Sequence, residues 1–133
     1  MAVFSAGSFR WWVTGGHALE LHVGRSWRQH DDTDVSFVRA DSAHVFRLLS
    51  DWQISVAAAG VLSPWAGEPL DAAAHQNNLW CKQSSTAPWC LDLTVSEGDG
   101  QEWIFRRDPS LRIDWHDAVL RSDDDIPYWQ RLL

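Results

Sequence analysis

The sequence contains only two cysteines, no apolar run as long as a membrane span, and fewer basic than acidic residues. Cys81 and Cys90 lack the spacing of a zinc site, and we expect two thiols rather than a disulfide, although the turn between them could pair them across a hairpin. No basic region followed by a long apolar run opens the chain, so we expect a cytoplasmic protein that binds no membrane. The net charge of −7 argues against nucleic-acid binding but suits a cationic small molecule.

Tryptophan is abundant instead, since ten of the 133 residues are tryptophans and 45% of all residues are hydrophobic. This length and composition predict one globular domain over residues 1–133, with its own core. Indole rings fill a core with few residues, but their N–H groups need partners when they are buried. We expect most of them to anchor the core or a loop, while Trp27 and Trp65 could also stack on the ring of a ligand.

Hydrophobic periodicity predicts alternating strands and helices in the first half of the chain and mainly strands in the second. Strands are predicted at 10–16 (with a glycine turn at its end), 33–39, 53–60, 77–83, 89–98 and 102–108. Helices are predicted at 17–24, at 42–52 with Asp41 as its cap, and within 111–125, while 61–75 is predicted to be mostly loop. This order predicts an α+β (mixed α/β) fold, with a single sheet and helices packed on it.

Three aspartates are candidate metal ligands. Asp32 and Asp34 stand two residues apart where a predicted strand begins, and side-chain alternation places both carboxylates on one face. Close carboxylates repel each other unless a cation neutralises them, and Mg²⁺ prefers such oxygen ligands. Asp92 is the third candidate, because it interrupts the apolar strand WCLDLTV, where burying an unpaired acid is costly.

A glycine pair, Gly15 and Gly16, lies between the first predicted strand and the first long predicted helix. Backbone N–H groups at such a turn, together with a helix N-terminus, form an anion site. The glycines alone could be a tight turn, and the acids alone could be a solvated loop. Together, a phosphate site beside a carboxylate cluster indicates phosphoryl or nucleotidyl transfer.

These motifs resemble the nucleotidyltransferases of the DNA polymerase beta superfamily, and in particular the small bacterial aminoglycoside and lincosamide nucleotidyltransferases. The matching residues are GG at 15–16, Glu20, GR at 24–25, RxHDDxD at 28–34 and LD at 91–92. The resemblance implies a nucleotidyltransferase-like single mixed sheet. It also implies two Mg²⁺ ions as cofactors and ATP or another NTP as co-substrate.

Carried over to this chain, the resemblance implies roles for single residues. Asp32 and Asp34 would bind Mg²⁺, and Asp92 would be a third metal ligand or the general base for the acceptor hydroxyl. Gly15 and Gly16 would hold the triphosphate. Three further residues would lie near the nucleotide, either contacting phosphate or bracing the acidic loop: Arg25, Arg28 and His30.

The activity that the resemblance implies is transfer of an NMP to a hydroxyl of a small, antibiotic-like molecule, with release of pyrophosphate. The chain ends at IPYWQRLL, so we expect it to lack the C-terminal helical segment of such relatives, and a homodimer could complete the cleft. Two alternatives share these motifs. One is a catalytically weak nucleotide-binding or antitoxin-like interaction protein, and the other is an enzyme that transfers AMP to a protein.

Overall fold

The computed structural model describes residues 2–15, 18 and 33–130, and strands form most of the regular structure in them. The strands are β1 (Trp11–Val13), β2 (Thr33–Val38), β3 (Gln53–Ala58), β4 (Val61–Pro64), β5 (Asn78–Lys82), β6 (Leu91–Gly98), β7 (Glu102–Ile104), β8 (Arg112–Asp114), β9 (Val119–Arg121) and β10 (Pro127–Trp129). The helices in these residues are α1 (Ala2–Ser5), α2 (Ser42–Leu48) and α3 (Trp115–Ala118), and a 3-10 turn covers Arg39–Asp41.

The strands form one mixed sheet in the order β4-β3-β5-β6-β2-β1-β10-β9. The pairs β2–β6 and β1–β10 are parallel, and the other pairs on this path are antiparallel. β7 branches from the end of β6 and carries β8. The predicted α+β architecture with a single mixed sheet is therefore confirmed.

The largest core lies on one face of this sheet and follows from alternation along the central pair, β2 and β6. Val35 and Phe37 on β2 are fully buried, as are Leu93 and Val95 on β6. Helix α2 packs on the same face through Val45. Because side chains alternate along a strand, the polar residues between these apolar ones face the opposite side of the sheet.

A second cluster, rich in tryptophan, covers one end of that opposite side. Its members are Trp12, Val38, Trp103 and Trp115, with Phe105, Ile113, Val119 and Trp129 packed against them. β10 returns to pair with β1, which brings the ring of Trp129 within 5.0 Å of Trp103 and 6.1 Å of Trp12 between centroids. The indole N–H of Trp115 donates to the carbonyl of Asp99 at 2.7 Å, so this buried donor is satisfied.

Trp65 anchors the loop that follows β4. It is 5% exposed, its indole N–H donates to the carbonyl of Glu68 at 2.8 Å, and its ring meets Phe46 edge-on at 5.2 Å. The anchoring alternative therefore holds for Trp65. Trp27 lies outside the described residues.

β4 differs from the sequence prediction, which assigned residues 61–75 mostly to a loop. Ala59 and Gly60 have φ angles of 51° and 76°, which is typical of the two-residue turns that join hairpin strands. All four residues of β4 are exposed, with Val61 at 63%. An edge strand without a buried face shows no alternation of apolar and polar residues, so its sequence did not indicate a strand.

The helix predicted at 42–52 is shorter, since α2 ends at Leu48. Asp41 occupies the cap position, but its side chain makes no capping hydrogen bond. The 3-10 turn before α2 gives Asp41 φ and ψ angles of −94° and 9°, whereas a capping side chain usually needs an extended backbone. The predicted cap position is therefore confirmed, but the capping hydrogen bond is not formed.

Short strands account for the remaining differences. The helix predicted within 111–125 covers only Trp115–Ala118, between β8 and β9, and β10 was not predicted at all. Strands of three residues are too short to show a period. The helix predicted at 17–24 lies outside the described residues, apart from Ala18. Along the described chain no helix has the length and apolarity to cross a bilayer.

Arg39 ties the 3-10 turn to the end of β6 and to the loop before β5. Its Nε donates to Glu97 at 2.9 Å, and its terminal nitrogens donate to the carbonyls of Leu70 and Gln76 and to the side chain of Asn77. The Arg39–Glu97 ion pair is also close, at 2.8 Å, and both side chains are largely buried. A guanidinium can satisfy all these acceptors at once because its five N–H groups form a rigid fork.

We expect Arg39→Lys to lower the free energy of unfolding by about 2 to 3 kcal/mol, because an ammonium group cannot reach these dispersed acceptors. Urea unfolding measures the change. Arg112→Lys is the matched control, since Arg112 pairs with Asp99 and Glu102 while remaining 39% exposed, and such pairs contribute less than about 1 kcal/mol. Equal effects of the two substitutions would contradict the structural role of Arg39.

Candidate active site

Two carboxylates occupy matching positions on neighbouring parallel strands. Asp34 on β2 is the register partner of Asp92 on β6, and adjacent strands lie about 4.8 Å apart. Their neighbours Val35 and Leu93 point into the core, so both aspartates face the opposite side of the sheet. Both are half-buried, and the Oδ1 atom of Asp92 is shielded from solvent. Strand pairing thus joins two acids that are far apart in the sequence.

Gly15 lies directly against the carboxylate of Asp34. A Cβ atom at this position would stand 2.6 Å from Oδ2 of Asp34, which is closer than real Cβ atoms approach other atoms. Its φ angle of 67° is also one that glycine adopts at little cost. The preceding residue, Thr14, donates its backbone N–H to the carbonyl of Asp34 at 2.9 Å. Only glycine leaves the space above this carboxylate open.

The structure therefore brings together three of the predicted site residues: Gly15, Asp34 and Asp92. The other predicted site residues lie outside the described ones, namely Gly16, Arg25, Arg28, His30 and Asp32. Within the described part of the chain, no group of three or more His, Cys, Asp or Glu residues could hold a metal ion. Two carboxylates under a turn with no Cβ still form an oxygen-only donor set, which fits a hard cation such as Mg²⁺.

A cavity of about 620 Å³ adjoins the carboxylates on the same face of the sheet. Its lining includes Trp12, Thr14, Gly15, Ser36, Thr94, Val95, Ser96, Glu97, Trp103, Ile104, Phe105, Arg106, Arg107, Leu111 and Trp129. We call this space the aromatic cavity. Gly15 lines the cavity and also lies against Asp34, so the cavity begins beside the carboxylate pair.

The floor of the aromatic cavity is held by hydroxyl groups that link β2 to β6. Ser36 is 1% exposed; its Oγ donates to the carbonyl of Thr94 at 2.8 Å and lies 2.7 Å from the hydroxyl of Ser96. These hydroxyl residues are not among the predicted site residues, although the sequence contains a signal for them. TDVSFV and LDLTVS both alternate apolar and polar residues, so each hydroxyl shares a face with the aspartate two or four positions before it.

The two cysteines lie close to this site; Cys81 is buried and Cys90 is half-buried. Both are free thiols, and the backbone N–H of Cys90 donates to the carbonyl of Cys81 at 3.0 Å. Burial raises the pKa of the Cys81 thiol to about 12, and the nearby Cys90 and Asp92 contribute to the rise. Cys81 is therefore a structural, unreactive thiol at neutral pH.

This pKa predicts an alkaline loss of stability. The unfolded thiol ionises near pH 9, whereas the folded thiol stays protonated up to about pH 12. The folded-state pKa is the higher one, so the contribution of Cys81 is complete below pH 9 and is lost as the pH rises towards 12. Between pH 8 and about pH 10.5, we expect the wild type to lose about 2 kcal/mol more unfolding free energy than Cys81→Ala does. If the unfolding free energies of the wild type and of Cys81→Ala change with pH in the same way, the pKa of the Cys81 thiol in the folded protein is not raised.

Comparison with known proteins adds one finding. Residues 1–61 match the aminoglycoside-2''-adenylyltransferase family, which supports an aminoglycoside nucleotidyltransferase-like relationship. The matched segment contains Gly15 and Asp34, while Asp92 and most of the aromatic cavity lie beyond it. No curated protein and no solved structure matches the chain.

Proposed function

We propose that this chain is a nucleotidyltransferase that moves the adenylyl group of ATP, or the NMP of another NTP, to a hydroxyl of a small cationic acceptor such as an aminoglycoside. The observation that carries the proposal is the in-register pair Asp34–Asp92 beneath the turn at Gly15. The family match over residues 1–61 supports it and implies a nucleotide co-substrate. A nucleotidyltransferase-like fold of the polymerase beta superfamily is part of the same proposal.

In this proposal the acids divide the chemistry between them. Asp34 and Asp92, with Asp32, would hold Mg²⁺, which when bound neutralises charge on the triphosphate and lowers the pKa of the acceptor hydroxyl. Asp92 accepts the hydroxyl proton. The acceptor oxygen then bonds to the α-phosphorus, and the bond from that phosphorus to the bridging oxygen breaks, releasing pyrophosphate. Gly15 lets the triphosphate approach closely, because no Cβ fills the space over Asp34.

The remaining predicted residues belong to the nucleotide side of the site. Gly16 would continue the turn that holds the triphosphate, and Arg25, Arg28 and His30 would contact phosphate or brace the acidic loop. The acceptor side is favourable to cations, because the chain carries a net charge of −7 and two half-buried carboxylates lie at the site. This charge supports an amine-rich acceptor over an anionic one.

Calorimetric titration with ATP, with and without Mg²⁺, is the first test, followed by pyrophosphate release with a panel of aminoglycosides. We expect Mg²⁺-dependent ATP binding, and pyrophosphate release only when an acceptor is present. Lincosamides are the comparison acceptors, because they carry fewer positive charges than aminoglycosides and so test whether the charge of the acceptor matters. Sedimentation at the same protein concentrations tests the proposed homodimer.

Each negative result has a distinct meaning. A folded protein that binds no NTP overturns the proposed function. ATP binding without turnover of any small acceptor favours the nucleotide-binding or antitoxin-like alternative. Transfer of AMP to a protein but not to small molecules favours the protein AMP-transferase.

A further inference from the structure

We propose that the aromatic cavity binds the purine ring of the nucleotide, while the triphosphate extends from it to the carboxylate pair. This inference rests on the proposed function and deepens it, because it assigns the two ends of the nucleotide to two parts of one face. Most of the lining residues lie on β6 or after it, outside the segment that matches the family. The assignment therefore comes from the geometry of this chain.

The first support is continuity between the cavity and the acids. Ser36 and Thr94 line the cavity and are register partners on β2 and β6. They lie two residues beyond Asp34 and Asp92, which corresponds to about 7 Å along each strand. A ribose bridges phosphate and base over a comparable distance. A nucleotide whose phosphates lie at Asp34 and Asp92, and which extends along the strands, therefore places its base beyond Ser36 and Thr94, in the cavity.

The second support is the aromatic lining. The rings of Trp103 and Phe105 lie 5.7 Å apart between centroids with planes inclined by 28°, and Trp129 lies 5.0 Å from Trp103. Phe105 and Trp129 are only half-buried, so their rings are accessible from the cavity. Accessible aromatic faces of this kind bind nucleobases by stacking, whatever the base.

The third support is the charge of the lining residues, which favours an anionic nucleotide over a cationic acceptor in this cavity. Arg106 and Arg107 are exposed and line the cavity. Glu97 also lines it, but Arg39 neutralises that carboxylate in an ion pair of 2.8 Å. Arg106 and Arg107 therefore place positive charge at the cavity, which favours a polyanionic nucleotide there over a polyamine.

A rival position for the base exists on the other side of the acids. Trp80 on β5 is the register partner of Asp92 and is 38% exposed, with Trp89 packed edge-on against it at 6.0 Å. Lys82 lies 4.5 Å from the centre of the Trp89 ring, so this side also offers an aromatic ring near a cation. Trp80 is therefore the matched control for Phe105.

The test compares the affinities of Mg²⁺-ATP and Mg²⁺-tripolyphosphate by calorimetry in Phe105→Leu and Trp80→Leu. Leucine keeps apolar volume but removes the stacking ring. We expect Phe105→Leu to weaken ATP binding about tenfold and to leave tripolyphosphate binding unchanged, since tripolyphosphate has no base. Trp80→Leu should bind both ligands like the wild type.

A second test does not alter the packing around Phe105, because it changes arginines instead of the aromatic ring. Arg106→Gln combined with Arg107→Gln changes exposed side chains, at the cost of one long hydrogen bond of 3.4 Å from Arg106 to the carbonyl of Val95, and should weaken ATP binding severalfold, with a larger effect at low salt. Arg47→Gln, an exposed position near the end of α2, is its control and should have no effect.

The outcomes separate the two proposals. Wild-type ATP affinity in Phe105→Leu and in the double arginine variant, or a loss confined to Trp80→Leu, overturns the assignment of the cavity but leaves the nucleotidyltransferase intact. A folded wild type that binds neither ATP nor tripolyphosphate overturns both. Loss of tripolyphosphate binding in Phe105→Leu equal to the loss of ATP binding also overturns the assignment, because the ring would then act on the phosphates.

Discussion

Asp34→Asn and Asp92→Asn are each expected to lower the rate of nucleotidyl transfer about a thousandfold. The two carboxylates are register partners on adjacent strands and form the described part of the proposed metal site. Removing a ligand of a catalytic metal forfeits several kcal/mol of transition-state stabilisation, and each 1.36 kcal/mol is tenfold in rate.

The measurement pairs kcat/KM for pyrophosphate release with the midpoint of thermal unfolding without Mg²⁺. Asp51→Asn is the control, since Asp51 is an exposed acid after α2. It should change neither quantity. Retained activity in either site variant would show that this carboxylate is not needed for the reaction. A parallel loss of activity and stability would show that the pair supports the fold rather than the chemistry.

Gly15→Ala is expected to lower activity about a hundredfold, because the new methyl group would stand 2.6 Å from Oδ2 of Asp34 and must displace that carboxylate. Displacement of a catalytic group by about 1 Å is enough for such a loss. The substitution also places alanine at a φ angle of 67°, which costs about 1 kcal/mol of unfolding free energy. Rate assays and urea unfolding measure the two effects separately.

Gly60→Ala separates the steric effect from the backbone strain. Gly60 has a φ angle of 76°, close to that of Gly15, but a Cβ there would meet no atom within 4 Å. We expect the same loss of about 1 kcal/mol in stability and no loss of activity. Similar activity in the two variants would mean that the contact between Gly15 and Asp34 does not position the carboxylate.

Prediction from the sequence succeeded where elements are long and one face is buried. β2, β3, β5 and β6 all show apolar residues at alternate positions, and their bounds fall within or close to the predicted ones. It failed for β4, which is exposed along its length, and for three-residue strands such as β10. In these segments the strand forms because it pairs with a neighbouring strand, and the local pattern of apolar and polar residues does not indicate it.

The same limit applies to the candidate site. The sequence indicated Asp32 and Asp34 through their spacing at the start of a strand, and Asp92 through its place in an apolar strand. It gave no means of finding the aromatic cavity, since Trp12, Phe105 and Trp129 come from three distant segments. Trp129 lines the aromatic cavity only because β10 pairs with β1.

The sequence by itself therefore determined the chemistry available to this protein: a glycine turn, acids on strands whose other face is apolar, and an acidic net charge. These features are local, and residue type and spacing encode them directly. The tertiary structure alone decided that β2 and β6 are parallel neighbours in register, which joins the acids, and that the tryptophans close a cavity beside them. Such contacts depend on the burial of many residues at once, so no single segment of the sequence specifies them.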